Sequence, residues 1–177
     1  MNIRPASPLR PAPLIIMGVS GCGKSTLGQM LAQHLDGRFI EGDSYHPAAN
    51  IARMSQGIAL TDEDRWGWLD TLAQELRHAA TTESGPAVLA CSALKASYRD
   101  RLRQGDPRAF FVLLQAPREV LAQRLDTRES HFMGSTLLDS QLGTIEPLRP
   151  DERGVVLDAT VPPQRLLEQV LALQCVT

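Results

Sequence analysis

Short, nearly unbroken apolar runs alternate along the chain with segments whose apolar residues recur every three or four positions. The runs at residues 14–17, 38–40, 87–91, 109–114 and 155–158 read as strands. A strand covered on both faces has no reason to alternate with polar residues. Between them, residues 25–35 carry Leu27, Met30, Leu31 and Leu35 on one stripe, and residues 64–78 carry Trp66, Leu69, Leu72, Ala73 and Leu76. Both stripes have the period of an amphipathic helix with one face in a core. Pro117 suits the first position of a helix bearing Val120, Leu121 and Leu125, because its missing N–H has no partner there anyway. Pro162 and Pro163 open a closing helix with Leu166, Leu167, Val170 and Leu171. Strands and helices in this alternation predict an α/β fold, a doubly wound five-stranded parallel sheet. We place it in a single domain over residues 14–177. Residues 1–13, with four prolines and two arginines, read as a flexible Pro-rich lead-in.

Composition narrows the function more than the fold. At 177 residues, 43% hydrophobic and 21% charged, the chain suits one ordinary globular domain. Its net charge of −2 gives no global basic field for nucleic acid or an anionic membrane. An anionic ligand must then be held by a few placed cations. The three cysteines, Cys22, Cys91 and Cys175, are far apart and lack zinc or CxxC spacing, as expected of reduced thiols in the cytoplasm. No apolar run approaches a membrane span and nothing resembles a secretory leader, so neither a membrane nor a nucleic acid partner is expected.

The most specific pattern is Gly18-Val19-Ser20-Gly21-Cys22-Gly23-Lys24-Ser25, a full GxxxxGK[ST] match between an apolar strand and an amphipathic helix. That context is what a phosphate-binding P-loop requires. The glycines let backbone N–H groups wrap a phosphate, and the helix adds its positive end. We therefore assign ATP contacts to Gly18, Ser20, Gly21, Cys22, Gly23, Lys24, Ser25 and Thr26. Lys24 is placed to reach the β- and γ-phosphates, and the Ser25 hydroxyl to ligate Mg²⁺.

Three further clusters follow strand ends, where ligands of parallel sheets bind. After the second strand, Asp43 is a candidate to organise a Mg²⁺-bound water or to take the proton of an attacking hydroxyl; the competing role is a turn or helix cap. His46 beside it is either a ligand or a solvated loop residue. Arg65 stands in a first helical turn after Asp62, Glu63 and Asp64, where the helix dipole disfavours a cation. An anionic ligand explains it, and so does a local surface pair; the same choice holds for Arg53. After the third strand Ser92, Lys95 and Arg99 suit a carboxylate or hydroxyls, or are ordinary helix polarity. Arg124 and Arg128, four apart on one helix face, open a polar stretch at about residues 128–141. This reads as a lid closing over ATP or as a solvated helix end.

Together these segments resemble the bacterial-type gluconokinases, small P-loop kinases. The resemblance runs through residues 18–26, Glu41-Gly42-Asp43 with His46-Pro47 and Asn50-Ile51, Leu60-Thr61-Asp62-Glu63-Asp64-Arg65 with Trp68-Leu69, and Cys91-Ser92-Ala93-Leu94-Lys95 with Tyr98-Arg99-Asp100. It continues through Arg128, His131-Phe132-Met133, Leu137-Leu138 and Ser140-Gln141. It implies a nucleoside-monophosphate-kinase-like fold, ATP and Mg²⁺, phosphorylation of D-gluconate to 6-phosphogluconate, and a homodimer. It implies an acceptor site at Asp43, His46, Arg53, Arg65, Lys95, Arg99 and His131, with Arg124 and Arg128 near ATP and Lys24, Asp43 and Arg128 catalytic. Arg53 replaces a usual Lys, Gly67 and Gly134 replace prolines, and Leu142 replaces a Phe, departures that bear on lid geometry. The alternatives are a kinase for another small acid such as shikimate, or an ATP-binding module without turnover.

Overall fold

The computed structural model describes residues 11–82, 85–127 and 136–174. In chain order these form β1 (Leu14–Met17), α1 (Lys24–His34), β2 (Arg38–Glu41), a short 3₁₀ turn (Gly42–Tyr45), α2 (Ala48–Ser55) and α3 (Asp62–Thr82). There follow β3 (Ala87–Ala90), α4 (Ala96–Arg103), β4 (Phe110–Gln115), α5 (Arg118–Asp126), α6 (Thr136–Thr144), β5 (Gly154–Asp158) and α7 (Pro163–Gln174). The strands make one parallel sheet in the order β2-β3-β1-β4-β5. All five expected strands are present to within a residue or two at each end.

Successive residues of each central strand enter opposite cores, which is the physical content of double winding. Leu14 and Ile16 of β1 face one cluster with Leu27, Leu121, Leu166 and Val170. Ile15 and Met17 face the other, with Leu69, Leu72, Tyr98 and Leu102. Helices α1, α5 and α7 thus cover one face and α3 and α4 the other.

Three differences from expectation have local causes. Helices α2, α4 and α6 carry too few apolar residues, or are too short, for their period to stand out. Trp68, not the half-buried Trp66, is the tryptophan sunk into the core, at 1% exposure, with its indole N–H donating to the Gly42 carbonyl at 2.8 Å. Pro13, assigned to the lead-in, already belongs to the sheet: its carbonyl accepts the Phe110 N–H at 2.9 Å.

α3 starts on a reciprocal cap. The Thr61 N–H donates to the Asp64 carboxylate at 2.8 Å, and the Asp64 N–H donates back to the Thr61 hydroxyl at 3.3 Å, which explains two of the polar residues there without a ligand. Gly67, further along α3, has nothing within 4 Å of where a Cβ would sit. Gly67→Ala is therefore expected to stabilise the chain by about 0.5–1 kcal/mol, read as a higher urea midpoint at unchanged slope.

Candidate active site

The loop after β1 needs its glycines. Gly18 has φ 138° and a Cβ there would sit 2.6 Å from the Leu114 carbonyl oxygen, while Gly21 has φ 83° and its Cβ would sit 3.1 Å from that of Leu121. Gly23 (φ 96°) precedes α1, whose start has no side-chain cap and no acid in its first turn. The first N–H groups of α1, from Lys24, Ser25 and Thr26, lack intrahelical partners, and the positive helix end is left for an anion. The Lys24 ammonium donates to the Val19 carbonyl at 3.0 Å, folded back over the loop. Cys22 is 1% exposed and packs in the core, so only its backbone serves the loop. The Ser20 N–H donates to the side-chain oxygen of Gln141 at 2.7 Å.

Beside this cradle opens a cleft of ≈ 320 Å³, bordered by Gly23, Thr26, Arg124, Thr127, Val161 and Pro163. Arg124 closes one end by donating to the Ala159 carbonyl at 2.9 Å. The cleft lies between α5 and the turn after β5. Asp158 closes that turn, accepting from the Thr160 N–H at 2.8 Å and from its hydroxyl at 2.7 Å. The expected Arg128 and His131 lie outside the described residues, as does the lid segment up to residue 135; residues 136–141 of that segment fall in α6.

On the other side of the P-loop, Asp43, His46, Arg65 and Ser92 converge on a second, much smaller pocket of ≈ 30 Å³. His46 is 9% exposed and stacks on Trp68, with ring centroids 4.0 Å apart and planes at 16°. Burial pushes its pKa down to about 4, opposed by the Asp43 charge and assisted by that of Arg65. At neutral pH it is an uncharged imidazole whose Nδ1 has no hydrogen-bond partner.

Arg65 donates from Nη2 to the Leu60 carbonyl at 3.2 Å and lies 5.6 Å from the Tyr98 ring centroid, while its buried Nε is without a partner. Two of the acids suspected of pairing with it are engaged elsewhere. Asp62 accepts from Lys95 at 2.7 and 2.8 Å and from the Tyr98 hydroxyl; Asp64 takes the Thr61 N–H and, at 3.5 Å, Arg53. The charges of Asp43, Lys24 and Arg65 all reach the Cys91 thiol, which burial pushes up to about 12. These three groups therefore gather around the end of β3, and the thiol stays neutral.

The remaining expected ligands separate here. Arg53 and Lys95 are tied to Asp64 and Asp62 and do not border the pocket. Arg99 is a correction. It is fully buried and bound through Nε and Nη2 to the equally buried carboxylate of Glu152 at 2.6 and 2.9 Å. It also donates to the carbonyls of Ala93, Leu94, Glu146 and Pro147. No donor is left for a substrate. Its work is to fix the strained Ala93 (φ 44°) in the loop that carries Ser92. The charge pattern of Tyr98-Arg99-Asp100 could not reveal this, because the partner Glu152 is 53 positions away.

The neutral His46 has a consequence for acid stability. Its folded pKa is below its unfolded value, so between pH 6.5 and about 4 the unfolded chain binds a proton that the folded chain refuses. The stabilisation is complete above pH 6.5 and is lost as pH falls through that window. Wild-type stability is expected to drop by roughly 2 kcal/mol more than that of His46→Gln between pH 7 and pH 5, measured by urea unfolding at each pH. Carboxylates held low, such as Asp62 bonded by Lys95 and Tyr98, lose their share at lower pH. Parallel pH curves for both proteins would remove the assignment.

Comparison with known proteins adds sequence relatives to this geometry. A shikimate kinase family model matches residues 20–141. The gluconokinase of Gluconobacter oxydans is 44% identical over 163 residues, 92% of this chain and 91% of that protein. A crystal structure of a gluconokinase from Sinorhizobium meliloti superposes with a TM-score of 0.82 at 43% identity, covering 93% of this chain and 92% of that one. An unliganded sugar kinase from Janibacter gives a TM-score of 0.86 at 46% identity, over 92% and 94% of the two chains.

Proposed function

The chain belongs to the gluconokinase family, and on that premise we propose that it transfers the γ-phosphoryl group of ATP to D-gluconate, giving 6-phospho-D-gluconate and ADP. The observation that carries the reading is the convergence of Asp43, His46 and Arg65 on one pocket next to the P-loop. Arg65 brings a cation with a buried N–H still unpartnered, suited to a carboxylate or polyol hydroxyl. The neutral His46 offers a ring nitrogen to a hydroxyl without adding charge.

The reaction is in-line attack of the C6 hydroxyl on the γ-phosphorus with departure of ADP. Asp43 orients that hydroxyl and takes its proton. The P-loop N–H groups and Lys24 hold the β- and γ-phosphates, where Lys24 leaves Val19 and meets the charge that develops in the transition state. Arg128, carried by the family resemblance, is assigned to the same charge, and His131 to the acceptor. Arg124 borders the base side. The Ser25 hydroxyl is a hard oxygen donor of the kind Mg²⁺ takes alongside water and phosphate oxygens. Bound there, Mg²⁺ supplies neutralisation of phosphate charge.

A homodimer, a cytoplasmic location and a lid that includes residues 128–141 belong to the same reading. Among the described residues no helix is long and apolar enough to cross a membrane. The product identifies the reaction: ³¹P NMR of a gluconate and ATP incubation is expected to show a primary phosphomonoester at C6. A phosphate at a secondary hydroxyl, or inorganic phosphate alone, would overturn the proposal. A second reading, a kinase for another small hydroxy acid such as shikimate, draws on the family model matched over residues 20–141.

A further inference from the structure

Helix α6 stands between spaces of very different size. Ser140, Gln141 and Thr144 close the acceptor pocket to ≈ 30 Å³, room for one or two waters. Small-molecule pockets begin at roughly 300 Å³. On the opposite side Leu142 and Ile145 border a mainly apolar cleft of ≈ 550 Å³, walled by Val19, Pro117 and Val156. The nucleotide cleft is meanwhile open at ≈ 320 Å³. The acceptor pocket is thus about a tenth the size of the nucleotide cleft.

Several contacts hold α6. Leu137 packs with Met54 and Leu60, and Leu138 is buried in the main core, apolar contacts that tolerate sliding; Arg118 of α5 pairs with the exposed Asp139 at 2.6 and 2.8 Å. The contact that reaches the P-loop is directional: the Gln141 side-chain oxygen accepts the Ser20 N–H at 2.7 Å. Ser20 belongs to the phosphate cradle, so Gln141 occupies a donor that is part of the anion-binding set. One N–H cannot serve both a phosphate oxygen and Gln141 at full strength.

We propose that Gln141 is a positioning residue that couples the two substrates, latching α6 onto the P-loop until nucleotide phosphate claims the Ser20 N–H and α6 moves toward the apolar cleft, opening the acceptor pocket. The proposal rests on the gluconate reading for the identity of the second ligand. Nucleotide and acceptor both select the unlatched state, so each tightens the other by the same factor. While the latch is closed, both apparent affinities are reduced by the unlatched fraction.

Calorimetric titration of the full chain tests this, using a non-hydrolysable ATP analogue and gluconate, each alone and each in the presence of the other. The proteins are wild type, Gln141→Ala and Gln141→Met, the last retaining bulk without an acceptor. In the wild type the analogue is expected to tighten gluconate binding about three- to tenfold, the range of one neutral hydrogen bond. Both variants are expected to bind the analogue alone two- to tenfold more tightly than wild type, and to show coupling below about twofold. Wild-type coupling retained in both variants, or unchanged analogue affinity, would overturn the latch. If gluconate binds none of the three proteins, the substrate reading fails instead, and the analogue affinities still decide the latch.

Discussion

Lys24→Met is expected to keep the fold and lose phosphoryl transfer, with kcat down by about two to three orders of magnitude. The structure explains why these effects separate. The Lys24 ammonium makes one part-buried hydrogen bond, to the Val19 carbonyl at 3.0 Å, so truncation costs stability on the order of 1 kcal/mol or less. Its position in the first turn of α1 puts the charge where phosphate oxygens gather. What is removed is an interaction that strengthens as charge develops, and the loss falls on kcat more than on KM. The test compares kcat and thermal midpoint on the same preparation. A folded variant with near-wild-type kcat removes the role; an unfolded one shows that Lys24 holds the loop itself.

Arg65→Ala is expected to lower kcat/KM for gluconate by roughly 30- to several-thousand-fold, the equivalent of about 2–5 kcal/mol, with ATP affinity little changed. The sequence left open a surface pair, whose loss would cost under about 1 kcal/mol and leave catalysis alone. In the structure neither acid bonds to Arg65, although its charge reaches both: Asp62 holds Lys95 and Tyr98, and Asp64 holds Thr61 and Arg53. The structure also gives Arg65 a place on the acceptor pocket wall and an unpartnered buried Nε. Titration calorimetry for ATP beside steady-state assays for gluconate separates the two substrates. An unchanged gluconate kcat/KM returns Arg65 to a structural role against Tyr98.

The contrast between Arg65 and Arg99 shows how far a sequence reaches in this protein. Both are arginines near strand ends in polar, charged stretches, and both were expected at the acceptor. Arg65 was singled out by a local conflict, a cation at the wrong end of a helix, and the structure sets it on the wall of the pocket. Arg99 had no such conflict, and its buried partner comes from a loop far along the chain. Local chemistry is legible where the residues that decide it are neighbours, as in the P-loop and the Thr61–Asp64 cap. It is hidden where tertiary contacts decide it, as with Trp68 under His46, Arg99 on Glu152 and Gln141 on Ser20. The central strands were readable because burial on both faces leaves unbroken apolar runs, and the partly exposed edge strands β2 and β5 still carry short apolar runs of their own. The helices α2, α4 and α6 were not readable, because they are short and offer too few apolar residues for a period to show.

The most direct test of the whole account is an acceptor panel on the wild-type chain. ADP release is followed with and without Mg²⁺, with gluconate, shikimate, other small hydroxy acids and no acceptor. The account predicts acceptor-dependent, Mg²⁺-dependent ADP release with gluconate far above every other compound, and little without acceptor. Shikimate turned over faster than gluconate, or ADP release indifferent to any acceptor, would contradict it.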